Sequence, residues 1–149
     1  MKKRILCSIL IMILLLTLVG CNFKKNQTND KPNNTYEVTK SMKAIINEEE
    51  YIIELEDNET VKRFIDILPQ EYEMKELNGN EKYVYLDTSF PTNSTNPKTI
   101  NAGDIMLFGD NCLVLFYKSF DTPYSYTKIG HINNIADLGN DDIKVRFEK

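Results

Sequence analysis

Two short polar tripeptides limit the folds open to this chain. Asn78-Gly79-Asn80 follows a run in which Tyr72 and Met74 alternate with charged residues, and Gly109-Asp110-Asn111 lies between two apolar runs. Asn, Asp and Gly accept the positive backbone φ that a tight reversal demands, so each tripeptide predicts a β-hairpin. The first joins strands expected at residues 71–77 and 82–86, and the second joins residues 105–108 to 113–118. Further strands are expected at residues 42–47, 51–56, 124–132 and 143–147. The first two of these read as an opening hairpin across Glu48-Glu49-Glu50, a solvated charged turn rather than a metal cage. One helix interrupts the pattern: Asn58 can cap it, Val61, Phe64, Ile65 and Leu68 fall on one face, and Pro69 ends it. Residues 135–138 make at most a second, short helix. Eight strands in about 110 residues favour a mainly β fold, a closed eight-stranded barrel with one or two short helices, because closure removes exposed edges.

The barrel has only about 110 residues to build with because the N-terminus reads as something else. Lys2-Lys3-Arg4 precede an almost unbroken apolar run over residues 5–19, which closes on Leu18-Val19-Gly20-Cys21. A basic head and an apolar stretch too short to span a bilayer comfortably make residues 1–20 a secretory signal. The tetrapeptide resembles the lipobox of bacterial lipoproteins, whose cysteine is acylated and becomes the first residue of the mature protein. That resemblance implies lipidation of Cys21, with palmitate among the acyl chains, and a place on the extracytoplasmic face of the cell membrane. The competing reading, an uncleaved anchor, also leaves the domain outside. Residues 21–40 then form a linker, rich in Asn, Lys and Thr and broken by Pro32. Such a segment cannot bury enough surface to offset chain entropy, and as a random coil it reaches roughly 20–25 Å. Residues 41–149 are the size of one domain with one core.

Removing the signal changes the charge. Fifteen Lys and Arg remain against 22 Asp and Glu, a formal charge of −7. An acidic chain lacks the basic stripe that nucleic-acid binding requires and is repelled by anionic headgroups, so membrane attachment falls to acyl chains. Of three cysteines, Cys7 lies in the signal, Cys21 would carry lipid, and Cys112 is left without a disulfide partner. Cys112 opens an apolar run and is expected as a buried small hydrophobe rather than a catalytic thiol.

Catalytic patterns are scarce. His131 is the single histidine, so a zinc site of His and Cys ligands is disfavoured. No Cys-x-x-Cys, His-Glu-x-x-His, phosphate-binding loop or Gly-x-Ser-x-Gly pattern occurs, and no cofactor or metal is expected. Aromatic residues offer more. Tyr83 and Tyr85 share one side of a strand, as do Tyr124 and Tyr126. Tyrosine suits a binding surface that stays partly wet, although such rings also fill and cover barrels. Two loops flank them, residues 87–99 and 119–123, and loops carry recognition disproportionately. The candidate ligand-binding residues are therefore Tyr85, Thr92, Asn93, Tyr117, Tyr126 and His131.

Longer stretches carry a resemblance. Leu77-Asn78-Gly79-Asn80-Glu81-Lys82-Tyr83, Pro91-Thr92-Asn93 and Asn101-Ala102-Gly103-Asp104-Ile105-Met106-Leu107 are similar to a bacterial family of cyclophilin-like fold proteins. So are Leu113-Val114-Leu115-Phe116-Tyr117-Lys118-Ser119-Phe120 and Tyr124-Ser125-Tyr126-Thr127-Lys128-Ile129-Gly130. The resemblance spans residues 42–147 and implies an eight-stranded barrel with two helices, but no activity. True cyclophilins isomerise prolyl bonds with an arginine on a strand just after the first helix, near a Phe-x-x-Gln pattern. Residues 70–86 here contain neither, and Arg63 and Arg146 stand elsewhere. One positioned donor is commonly worth about 10²–10³ in rate. The expected function is a membrane-tethered module that binds a small molecule, peptide or protein without catalysis. The alternatives are a weak peptidyl-prolyl isomerase or folding helper, which rests on fold analogy, and an unrecognised enzyme using His131.

Overall fold

A computed structural model describes residues 40–149, so the signal, Cys21 and nearly all of the linker lie outside the described residues. The described chain runs β1 (Ser41–Ile46), β2 (Glu49–Leu55), α1 (Glu59–Asp66), β3 (Gln70–Leu77) and β4 (Glu81–Tyr85). It continues through β5 (Thr99–Ile100), β6 (Asp104–Phe108), β7 (Cys112–Phe116), β8 (Phe120–Asp121), β9 (Thr127–Ile132) and β10 (Ile143–Glu148). Eight of these strands close a barrel in the order β1-β10-β3-β4-β7-β6-β9-β2, as the hairpin signals and strand count predicted.

Strict alternation sends one face of each strand inward. In β10, Ile143, Val145 and Phe147 are buried while Lys144 and Arg146 are exposed, and β1 buries Met42, Ala44 and Ile46 in the same way. Ile53, Met74, Ile105, Leu107, Leu113 and Leu115 join them in one core. Strands β6 and β7 break the alternation, being buried on both faces except at Phe108. A continuous apolar run is the mark of such a strand, and here it means that something covers the barrel's outside. The cover is a second apolar cluster.

Each end of the barrel is stoppered. Asn58 caps α1, its Oδ1 accepting the Val61 N–H at 2.9 Å while its Nδ2 donates to the Lys128 carbonyl at 2.8 Å. The helix thereby presents Val61 and Phe64, with Leu68 beyond it, to the core. The Phe64 ring sits 5.5 Å from Phe147 and 6.2 Å from Phe90. At the other end Lys82 is fully buried. Its Nζ donates to Glu76 Oε2 at 2.8 Å and to the carbonyls of Gly139 and Asp141 at 2.6 and 2.8 Å. Three donors meeting three acceptors make a buried ammonium tolerable. Glu76 also accepts from the Tyr117 hydroxyl at 2.7 Å and from the Gly79 N–H. Burial works against ionisation of Glu76, but Lys82, Tyr117 and Gly79 together hold its carboxyl below the usual range.

Several local expectations need correction. The first turn is Asn47-Glu48, both at positive φ (49° and 70°), and Ile46 pairs directly with Glu49. Glu49 and Glu50 therefore belong to β2; a two-residue turn of this hand matches the twist of the strands it joins. Residues 135–138 form no helix; so short a segment cannot nucleate one, and Ile135 and Leu138 instead rest on the core. One helix, not two, is present among the described residues. Residues 124–126 lie outside β9, with Tyr126 making an isolated bridge to Thr95. The β5–β8 ribbon was not anticipated, because two-residue strands leave no periodicity to read.

Candidate functional site

The second cluster defines a surface. Strand β7 lies between β4 and β6, and its outward residues Cys112, Val114 and Phe116 are buried under neighbours rather than bare. Register sets the rows across this wall: Tyr85 opposite Cys112 opposite Phe108, then Tyr83 opposite Val114 opposite Met106. Glu81 stands opposite Phe116 in the next row. Over that last row fold Ile100, Phe120 and Tyr126, delivered by the β5–β8 ribbon and its flanking loops. Phe116 packs at 5.7 Å from Phe120 and at 5.5 Å, edge to face, from Tyr126.

The other rows stay open. Tyr85 is 67% exposed, Tyr124 59% and Phe108 43%. Tyr83 and Tyr85 meet at 5.8 Å, while Phe108 touches Tyr124 at 5.9 Å and Tyr126 at 5.5 Å. Two aromatic ridges thus flank a strip floored by Cys112 and Val114. Contiguous exposed apolar surface of this kind marks an interaction site more often than scattered single residues do. The thiol of Cys112 is buried, as expected, and that burial pushes it up to about 11, with Glu81 adding to the rise. It is therefore a floor rather than a nucleophile.

Of the six candidates, Tyr85 and Tyr126 come together on this wall. Thr92 and Asn93 are exposed on the loop before β5, pinned to β9 by the Asn93 N–H donating to Thr127 Oγ1 at 3.0 Å. Tyr117 is buried at the stoppered barrel end against Glu76 and Lys82, away from the wall. His131 is on β9, its Nδ1 3.0 Å from Asp104 Oδ1. Lys128 Nζ lies 3.2 Å from the same oxygen, and the Asn101 N–H donates to Asp104 Oδ2 at 2.9 Å. This cluster neutralises a buried carboxylate. Glycine at 103 lets β6 begin there, since a side chain would run into the Ile132 carbonyl and φ is 98°. Among the described residues no group of three or more His, Cys, Asp or Glu is placed to hold a metal.

Sequence reasoning missed Phe108, Met106 and Glu81. The turn Gly109-Asp110-Asn111 held the signal, because the hairpin register it sets places Phe108 opposite Cys112 on the face of Tyr85. A further depression of about 480 Å³ opens on β1, β10 and β3, lined by Ile45, Glu71, Asp142, Lys144 and Arg146 among others. Two of its charges pair within the domain, Arg146 with Glu148 at 3.1 Å and Asp142 with Lys75 at 2.8 Å.

With this barrel in view, a family model described as the Cyclophilin-like family matches residues 44–148. The chain belongs to the Cyclophilin-like family. No curated protein matches it at a significant level. A hypothetical protein from Archaeoglobus fulgidus with a known solution structure is similar at 20% identity and a TM-score of 0.47, covering 72% of this chain and 92% of its own. In this Cyclophilin-like member, β3 after the helix carries no arginine. Arg63 projects from α1, and Arg146 lies on β10, two strands from β4 in the barrel order.

Proposed function

We propose that this protein is an extracytoplasmic lipoprotein, held at the cell membrane through acylated Cys21, whose barrel binds a ligand or partner on the β4–β7–β6 wall without catalysing a reaction. The observation that carries the binding role is the wall itself: Tyr85 on β4 and Phe108 on β6 are exposed on one face of the sheet, and exposed Tyr124, from the loop before β9, packs on Phe108. Rings with polar tips on a preformed surface bind at low entropic cost. Two features support the non-catalytic part. The wall carries no arginine, and Cys112 has its thiol raised rather than activated. The anchor rests on Lys2-Lys3-Arg4, the apolar run and Leu18-Val19-Gly20-Cys21.

A prolyl-isomerisation assay on a chromogenic peptide tests the chemistry. No acceleration is expected; turnover abolished by Tyr83→Ala would replace this reading with an isomerase. Metabolic labelling with a palmitate analogue tests the anchor. Label is expected on the native chain and absent from Cys21→Ser, and persistent label on the variant sinks the anchor.

A further inference from the structure

Two carboxylates flank Phe116 at the covered end of the wall, and they are treated oppositely. Asp104 is buried and its charge is met by His131, Lys128 and the Asn101 N–H. The carboxylate of Glu81, on β4 opposite Phe116, has no hydrogen-bond or ion-pair partner among the described residues. It is nonetheless half-buried, and burial pushes its carboxyl above the ordinary range, with Glu76 adding to the rise. Its negative charge adds to the rise that burial causes at Cys112, Tyr117 and Tyr126. A carboxylate drawn part-way out of water with no counter-charge is destabilising unless something supplies one. Beside it on the same strand face stand Tyr83 and Tyr85, whose ring faces attract cations.

We infer that the wall docks a basic polypeptide segment, with an arginine side chain pairing with Glu81 and stacking on Tyr83. This rests on the wall being the binding face and adds what it binds. The domain carries 20 acidic against 11 basic side chains over residues 41–149, so a basic partner is also steered towards it. A quaternary ammonium fits less well, because it cannot donate to a carboxylate and the rings form an open wall rather than a closed box. A guanidinium does both, forking onto the carboxylate while its plane lies on a ring.

The test uses the full chain in neutral detergent and two nonapeptides of Gly and Ala without aromatic residues. One carries three arginines; the other carries citrulline, the neutral isostere, at the same positions. Binding is read from NMR shifts of the tyrosine and phenylalanine rings and of the Glu81 carboxyl. The arginine peptide should bind about tenfold tighter than the citrulline peptide and shift Glu81, Tyr83 and Tyr85. Glu81→Gln should abolish the preference and Glu81→Asp should retain it, with the backbone spectrum of each checking the fold. Equal binding of both peptides to the wall, unchanged by Glu81→Gln, overturns the basic partner and leaves the wall as a binding face. Shifts confined to another face, or none on the wall with either peptide, overturn both.

Discussion

Lys82→Met tests the stoppered end of the barrel most directly. Methionine keeps the length of the aliphatic stem, so the apolar contacts of the buried side chain persist while the ammonium goes. Three hydrogen bonds of 2.6–2.8 Å disappear, one to Glu76 and two to the carbonyls of Gly139 and Asp141. Breaking a buried ion pair by removing one partner costs about 3–5 kcal/mol. Gly139 and Asp141 are themselves exposed residues that water can reach, and Glu76 keeps its bonds from Tyr117 and Gly79. The cost therefore falls at the lower end, about 3 kcal/mol, which for a domain of this size is a fall in Tm of roughly 12–15 °C. Urea unfolding of the Lys82→Met chain measures it. Adding Glu76→Gln removes the orphaned charge, and the double variant should recover about 1 kcal/mol.

The same pair sets a pH signature. In the native protein the Glu76 carboxyl is held below its unfolded value of 4.5. A depressed folded pKa contributes stability that is complete above the unfolded value and lost as pH falls through the folded one. In Lys82→Met the ammonium's share of that depression is lost while the Tyr117 and Gly79 hydrogen bonds remain, so the Glu76 pKa rises from its native position. The variant therefore gains less than the native protein from ionising Glu76, and that difference fades as acid protonates the carboxyl. The gap between the two proteins should therefore narrow as pH falls below 4.5. Parallel stability curves from pH 7 to 3, or a Lys82→Met cost under about 1 kcal/mol, would show that the pair does not hold this end closed.

Three further outcomes follow from single contacts. Gly130→Ala puts a methyl group into the Glu54 carbonyl and the Ile53 side chain, prying β9 from β2, and denaturant titration should show a loss of about 3 kcal/mol or failure to fold. Asn58→Ala removes both the α1 cap and the tie to the Lys128 carbonyl and should cost about 1–2 kcal/mol by thermal unfolding. Cys112, with its thiol at about 11, should resist Ellman's reagent at pH 8 in the folded protein and react at once in guanidinium. Rapid reaction in the native state would mean that the floor of the wall is open.

The barrel was legible in sequence for a local reason. Asn78-Gly79 and Gly109 carry positive φ because few other residues accept it, and alternation in β10 shows its buried face without any partner in view. The first hairpin was misread because its turn pairs Asn47 with Glu48, a glutamate at positive φ that looks no different from the two after it. The Lys82 end of the barrel was illegible: nothing local says that Lys82 lies inside, since its three acceptors come from residues 76, 139 and 141.

The same limit separates Asp104 from Glu81. In sequence each is a carboxylate at the head of a strand, followed by alternating large side chains. Beyond the nearby Asn101 N–H, Asp104 is satisfied because β9 returns antiparallel to β6 with His131 opposite it and Lys128 within reach. Strand β3, the other neighbour of β4, brings Leu77 opposite Glu81, and its Lys75, opposite Tyr83, is already taken by Glu73 and Asp142. Charge matching across a sheet is thus a property of strand order, which neither residue's own neighbourhood encodes. A carboxylate that strand order leaves unmatched, in a wall that otherwise neutralises its buried charge, is the position where a partner's cation gains most by docking.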